Sequence, residues 1–78
     1  MNSEQIMAAL KNGAMLFRVY DATAYPREWA ELRYNNTRTV IHIDIILDMC
    51  ARDLLGYQSI GSFQEKGYRW DVMVMLNP

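Results

Sequence analysis

The longest apolar stretch of the chain, residues 40–55 with the sequence VIHIDIILDMCARDLL, most constrains how it can fold. Apolar residues recur in it at intervals of three or four, the spacing that places side chains on one face of an α-helix. Thr37 or Thr39 would cap the start of this helix, and Gly56 would follow its end. We predict a central helix whose buried face consists of Val40, Ile43, Leu47, Cys50 and Leu54.

The charged residues of the same stretch form a separate band made of Asp44, Asp48 and Arg52. Asp48 precedes Arg52 by four positions, the order that favours an ion pair on a helix surface. Ile45 and Met49 lie beyond this band, on what would be the exposed back of the helix. We therefore expect a partner or a second copy of the chain to cover them.

The rest of the chain predicts one further helix and four strands. Asn2 and Gln5 have the spacing of a capping box, so the first helix begins there, continues to about residue 12 and ends at Gly13. Alternation of apolar and polar residues predicts strands over residues 14–20, 28–34, 57–64 and 68–76. The order α-β-β-α-β-β predicts a single α+β domain over residues 1–78, with two helices on one face of an antiparallel sheet of about four strands.

Alternation also predicts which side chains of each strand point into the core. In the second and fourth predicted strands, the inward positions are Ala30, Leu32, Tyr34, Tyr68, Trp70, Val72, Val74 and Leu76. Asn35 and Asn36 follow the second strand and predict a turn.

Length and composition limit how the fold can be stabilised beyond its hydrophobic core. At 78 residues, the chain is small enough that one hydrophobic core gives limited stability. A lone Cys50 excludes an internal disulfide, and a lone His42 disfavours a zinc site, so we expect neither a metal nor a cofactor. Oligomerisation is the remaining support, and we expect a homodimer.

Charge and hydropathy narrow the class of protein. Eight Lys and Arg against nine Asp and Glu give a formal net charge of −1, which does not favour general nucleic-acid binding. The first residues lack the basic segment and long apolar run typical of a signal peptide, and no apolar run of the sequence reaches about 18 residues. We expect a cytoplasmic protein that does not enter a membrane.

The sequence offers weak candidates for catalysis. Asp44 and Asp48 would lie on one helix face, but Arg52 offers Asp48 an ordinary ion-pair partner. Cys50 and His42 would lie on different faces of the helix, so they do not form a thiol nucleophile and its base. We expect no enzymatic activity.

Arg18, Tyr20, Trp29 and Arg33 are predicted to share the outer face of the first hairpin and to bind a partner. Arginine and aromatic side chains dominate protein–protein hot spots, and they also stack on bases and contact phosphates. The slightly acidic chain favours a protein partner. The alternatives are a nucleic-acid-binding module, using either this face or a winged-helix arrangement, and a sheet face that contacts only water.

Apolar residues that a single small core does not accommodate predict a self-association surface, which we assign to Ile45, Met49, Met73 and Met75. The function predicted is that of a small non-enzymatic interaction protein, which regulates or inhibits a larger protein or nucleoprotein complex. A phage or mobile-element inhibitor of a host system is one form that such a protein takes.

Overall fold

The chain forms two helices and a five-stranded antiparallel sheet in the computed structural model, which describes the backbone of residues 1–65 and 68–76 and the side chains of residues 1–57, 69 and 71–76. The elements are α1 (Ser3–Lys11), β1 (Met15–Asp21), β2 (Glu28–Tyr34), β3 (Thr37–Ile41), α2 (Ile43–Ala51), β4 (Leu55–Glu65) and β5 (Tyr68–Met75). The strand order in the sheet is β3-β2-β1-β5-β4. The predicted α+β class is confirmed, with five strands instead of about four.

The first helix forms as its end signals predict. The Asn2 side chain accepts a hydrogen bond from the Gln5 backbone N–H, and the Gln5 side chain accepts one from the Asn2 N–H. Ile6 is fully buried on the inner side of α1. Gly13 has a φ of 97°, and the following Ala14 N–H donates to the Ala9 carbonyl oxygen. This left-handed residue with its closing hydrogen bond is the common way to end a helix.

The predicted central helix is wrong at both ends. Residues 37–41 form β3, and β4 begins at Leu55. Asn35 and Asn36 have φ values of 48° and 63°, the left-handed conformation of a two-residue hairpin turn, and they pair β3 with β2. Thr37, Thr39 and Val40 are β-branched residues that suit a strand.

The second helix is shorter than predicted and buries a different face. His42 caps it, with Nδ1 accepting a hydrogen bond from the Asp44 N–H at 3.2 Å. The helix ends at Ala51 and is followed by Asp53 with a left-handed φ of 58°, whereas Gly56 lies inside β4. Its fully buried side chains are those of Ile46 and Met49.

Two residues of the predicted buried stripe are exposed instead. Val40 is 62% exposed on β3 and Leu47 is 41% exposed on α2. Ile43, Cys50 and Leu54 pack against the core and are half-buried. The stripe fails because Val40 and Leu54 lie outside α2, and because the inner face of α2 is centred on Ile46 and Met49, one position before Leu47 and Cys50.

The second helix connects the two edges of the sheet, since β3 and β4 are the outermost strands. Five strands spaced about 4.8 Å apart span roughly 19 Å, and a helix of nine residues covers about 13.5 Å of that distance. The helices and the inner sheet face enclose the larger core cluster: Ile6, Ala14, Leu16, Ala30, Leu32, Ile41, Ile46, Met49, Leu55 and Met73.

A second cluster lies on the opposite side of the sheet. Phe17, Val19 and Val72 are buried there, and Trp29 packs against them. We had predicted that Val72 faces the helices, but Met73 does so, which exchanges the two faces of β5. Val74 is half-buried and Leu76 is 49% exposed. The side chains of Tyr68 and Trp70, also predicted to point inward, lie outside the described part of the chain.

Candidate functional site

The four predicted partner-binding residues do not share a face. In the sheet, Arg18 lies directly opposite Ala30 and Val19 lies directly opposite Trp29. Because directly opposed residues point to the same side, Arg18 shares the helix side with Ala30. By alternation, Tyr20 lies with Arg18, and Arg33 lies with Trp29 on the other side. The prediction of one shared face is therefore wrong.

Arg18 lies beside the helices in a network of its own. Its Nη2 donates to Glu28 Oε2 at 2.8 Å, and its Nη1 donates to the Tyr57 hydroxyl oxygen. The hydrogen bond to Glu28 raises the pKa of Arg18, partly offset by desolvation and reinforced by Tyr57. Tyr20, farther along the same strand, is 38% exposed. These contacts hold Arg18 as a structural link between β1, β2 and β4.

The far face, as we call the sheet surface opposite the helices, is organised around a buried carboxylate. Glu31 on β2 is 3% exposed. Its Oε2 accepts a hydrogen bond from Arg33 Nη2 at 3.0 Å, and its Oε1 accepts one from Trp29 Nε1 at 3.1 Å. Arg38 Nη1 on β3 lies 3.7 Å from Oε1. One carboxylate therefore holds the Arg33 guanidinium and the Trp29 indole by hydrogen bonds and lies near the Arg38 guanidinium on the same side of the sheet.

The two arginines would repel each other without Glu31. Arg33 and Arg38 are directly opposite one another in the β2–β3 ladder, where like charges are destabilising. Glu31 contacts both guanidinium groups and reduces this repulsion. The Arg33 guanidinium carbon also lies 4.8 Å from the centroid of the Phe17 ring, a stacked cation–π arrangement.

Exposed apolar side chains flank the arginines. Val40 is directly opposite Glu31 and is 62% exposed, while Met15 is directly opposite Arg33 and is 46% exposed. Our sequence interpretation missed Val40 as a surface residue because it placed this residue in the helix. The Asn35–Asn36 turn followed by β-branched residues was the signal that would have found it.

A cleft of about 440 Å³ opens beside the arginines, at the end of the far face where β2 turns into β3. It is lined by residues 33–38 together with Gly13 and Met15. A second cleft of about 410 Å³ lies between the beginnings of the two helices, where Asp44, Asp48 and Arg52 contribute to its lining.

The residues predicted for self-association lie in or against the core. Met49 and Met73 are 0% and 2% exposed, and Ile45 and Met75 are partly buried and pack on the same cluster. The burial of Met49 and Met73 contradicts a self-association surface that includes them. The assignment of Ile45 and Met75 and the homodimer itself stay predictions.

The two aspartates among the weak catalytic candidates each lie beside a side chain close in sequence. Asp48 pairs with Arg52 at 3.0 Å, as predicted from their spacing, and Asp44 lies 3.6 Å from the capping His42. Burial raises the pKa of the Cys50 thiol, partly offset by the charge of Arg18, so the thiol is less readily ionised than usual. Within the described ranges, no group of three or more His, Cys, Asp or Glu residues is placed to hold a metal ion.

The fold and the far face define a small two-layer α+β domain with a preorganised arginine pair on the sheet side away from its helices. Comparisons with protein-family models, with curated proteins and with solved structures find no match. In the part of the chain that the structure describes, no helix is long and apolar enough to cross a membrane.

Proposed function

We propose that this chain is a non-enzymatic, cytoplasmic interaction protein that binds a larger protein or nucleoprotein complex through its far face and regulates or inhibits it. The observation that carries the proposal is the buried Glu31, which holds Arg33 and Arg38 beside the exposed Val40. A phage or mobile-element origin, acting on a host system, remains part of the proposal.

Preorganisation supports this function. Ordering a long side chain at an interface costs about 0.5–1.5 kcal/mol of rotamer entropy. Arg33 is already held by Glu31 and by the Phe17 ring, so much of that cost is met during folding. Trp29 is held in the same way by its indole hydrogen bond to Glu31. A rigid arginine and an aromatic residue beside exposed apolar surface match the composition of interaction hot spots.

The charge distribution favours a protein over a nucleic acid. Binding along a nucleic-acid backbone uses several cations in a track. On the far face, the carboxylate of Glu31 offsets one of the two guanidinium charges, and the whole chain has a net charge of −1. Nucleic-acid binding is the competing hypothesis, and it predicts affinity that falls steeply with salt concentration.

Affinity capture with matched variants tests the proposal. Val40→Ser and Leu47→Ser each replace an exposed apolar side chain, the first on the far face and the second on α2. We expect a reproducible partner that is captured by the wild type and by Leu47→Ser, but lost with Val40→Ser, when captured proteins are quantified by mass spectrometry. No reproducible partner, or equal capture by both variants, would refute the proposal.

A homodimer is the second part of the proposal, and light scattering after size exclusion measures it. Because Met49 and Met73 are buried, a dimer has to use exposed residues such as Val40 or Leu47. We expect the Ser variant at one of these two positions to shift the mass toward that of a monomer. A wild-type mass equal to a single chain would rule out the dimer.

A further inference from the structure

We propose that the cleft at the β2–β3 turn binds carboxylate side chains of an acidic segment of the protein partner. This inference rests on the proposed function and names the chemistry of its binding site. The cleft volume of about 440 Å³ falls within the range of about 300–1,000 Å³ typical of sites that hold a ligand.

The charge of the lining selects an anion. The charged residues among those that line the cleft are Arg33 and Arg38, and the other described lining residues are neutral. The Glu31 side chain is 4% exposed, and its carboxylate contacts the two arginines that line the cleft. A ligand anion can therefore pair with the exposed guanidinium of Arg38 in this lining.

The geometry of the arginines suits a carboxylate. A guanidinium group offers a planar fork of N–H donors that matches the two oxygens of a carboxylate. The Arg38 side chain is 62% exposed, and its 3.7 Å contact with Glu31 is longer than a hydrogen bond. Asn35 and Asn36, exposed at the turn, add side-chain amide donors at the same end of the cleft.

The other described arginine ion pairs lie away from this cleft. Arg18 is paired with Glu28, Arg52 with Asp48, and Arg69 with Asp71. These three pairs do not extend the positive charge of the cleft, so we treat it as a local anchor for one or two carboxylates and not as part of a track for a phosphate backbone. An acidic peptide segment fits this arrangement better than a nucleic acid.

A nuclear magnetic resonance titration of the full chain tests the inference, with the acetylated and amidated peptide of six glutamates as the probe. We expect saturable shifts of the backbone amides of Asn35, Asn36 and Thr37. In Arg38→Ala, the peptide should bind at least tenfold more weakly. Arg52→Ala removes an arginine of similar exposure on α2 and should leave the affinity unchanged.

Three results would overturn the inference: no saturable shifts at these amides, equal affinity of Arg38→Ala and wild type, or tighter binding of a thymidine hexanucleotide than of the glutamate peptide at the same amides. Arg38 is exposed, so its variant should fold, and the dispersion of its amide spectrum checks this directly. If the peptide does not bind but capture of the partner still depends on Val40, the acidic-segment assignment is refuted and the proposed function is not. Peptide binding without Val40-dependent capture would instead refute the proposed function.

Discussion

Replacing Arg33 by Ala tests whether the buried carboxylate organises the far face. Arg33 Nη2 and Arg52 Nη2 each lie 3.0 Å from a carboxylate oxygen, of Glu31 and Asp48 respectively. The two ion pairs differ in burial, because the Glu31 side chain is 4% exposed and the Asp48 side chain is 64% exposed. Arg52→Ala is therefore a matched control for the same loss of charge at the same distance.

The expected cost follows from these contacts. A hydrogen bond to a charged group contributes about 1.5–3 kcal/mol, and we take roughly half of that because the Arg33 side chain is 43% exposed and water can replace it. Losing the cation–π contact with Phe17 adds about 0.5–1 kcal/mol. The free energy of unfolding should fall by about 2 kcal/mol in Arg33→Ala and by about 0.5 kcal/mol or less in Arg52→Ala.

Urea denaturation followed by tryptophan fluorescence measures both values, and thermal unfolding checks them. A difference of about 1.5 kcal/mol corresponds to a melting temperature about 6–12 °C lower for Arg33→Ala than for Arg52→Ala. Equal stability of the two variants would show that the buried Glu31 does not depend on Arg33 and that the carboxylate does not organise the far face.

Three further changes test other parts of the structure. Met49→Ala should lower the free energy of unfolding by about 2–5 kcal/mol, whereas Leu47→Ala should stay within about 0.5 kcal/mol of wild type. Urea denaturation measures both, and a larger loss in Leu47→Ala would show that the buried helix face is the one predicted from sequence. Burial raises the pKa of Cys50 despite the nearby Arg18, so a disulfide reagent at pH 8 should modify the folded chain more slowly than the urea-unfolded chain, and equal rates would contradict this. Asn2→Ala removes the capping box and should cost about 1 kcal/mol, measured by circular dichroism on heating; an unchanged midpoint would show that the cap does not stabilise the fold.

The far face shows how a short strand changes the surface of a small domain. Without β3, the sheet would end at β2, and Glu31 would lie on an edge strand. Pairing with β3 brings Val40 opposite Glu31 and Arg38 opposite Arg33. The candidate site therefore depends on a strand that was not predicted from the sequence, which placed Val40 in a helix.

The sequence by itself determined the features that depend on neighbouring residues. The capping box of Asn2 and Gln5, the end of α1 at Gly13, the span of β2 and the Asn35–Asn36 turn all agree with the structure. Each of these signals acts within a few residues, through hydrogen bonds or backbone conformations that the local sequence specifies. The fold class follows from the order of such elements.

Only the tertiary structure decided where β3 gives way to α2 and which side of each strand faces the helices. Residues 37–41 are extended because they hydrogen-bond to β2, a contact between strands that periodicity does not reveal. A shift of one residue in strand register exchanges the two faces, and the observed pairing buries Met73 under the helices while placing Trp29 and Arg33 on the far face. The arginine pair and its buried carboxylate are thus a product of strand pairing.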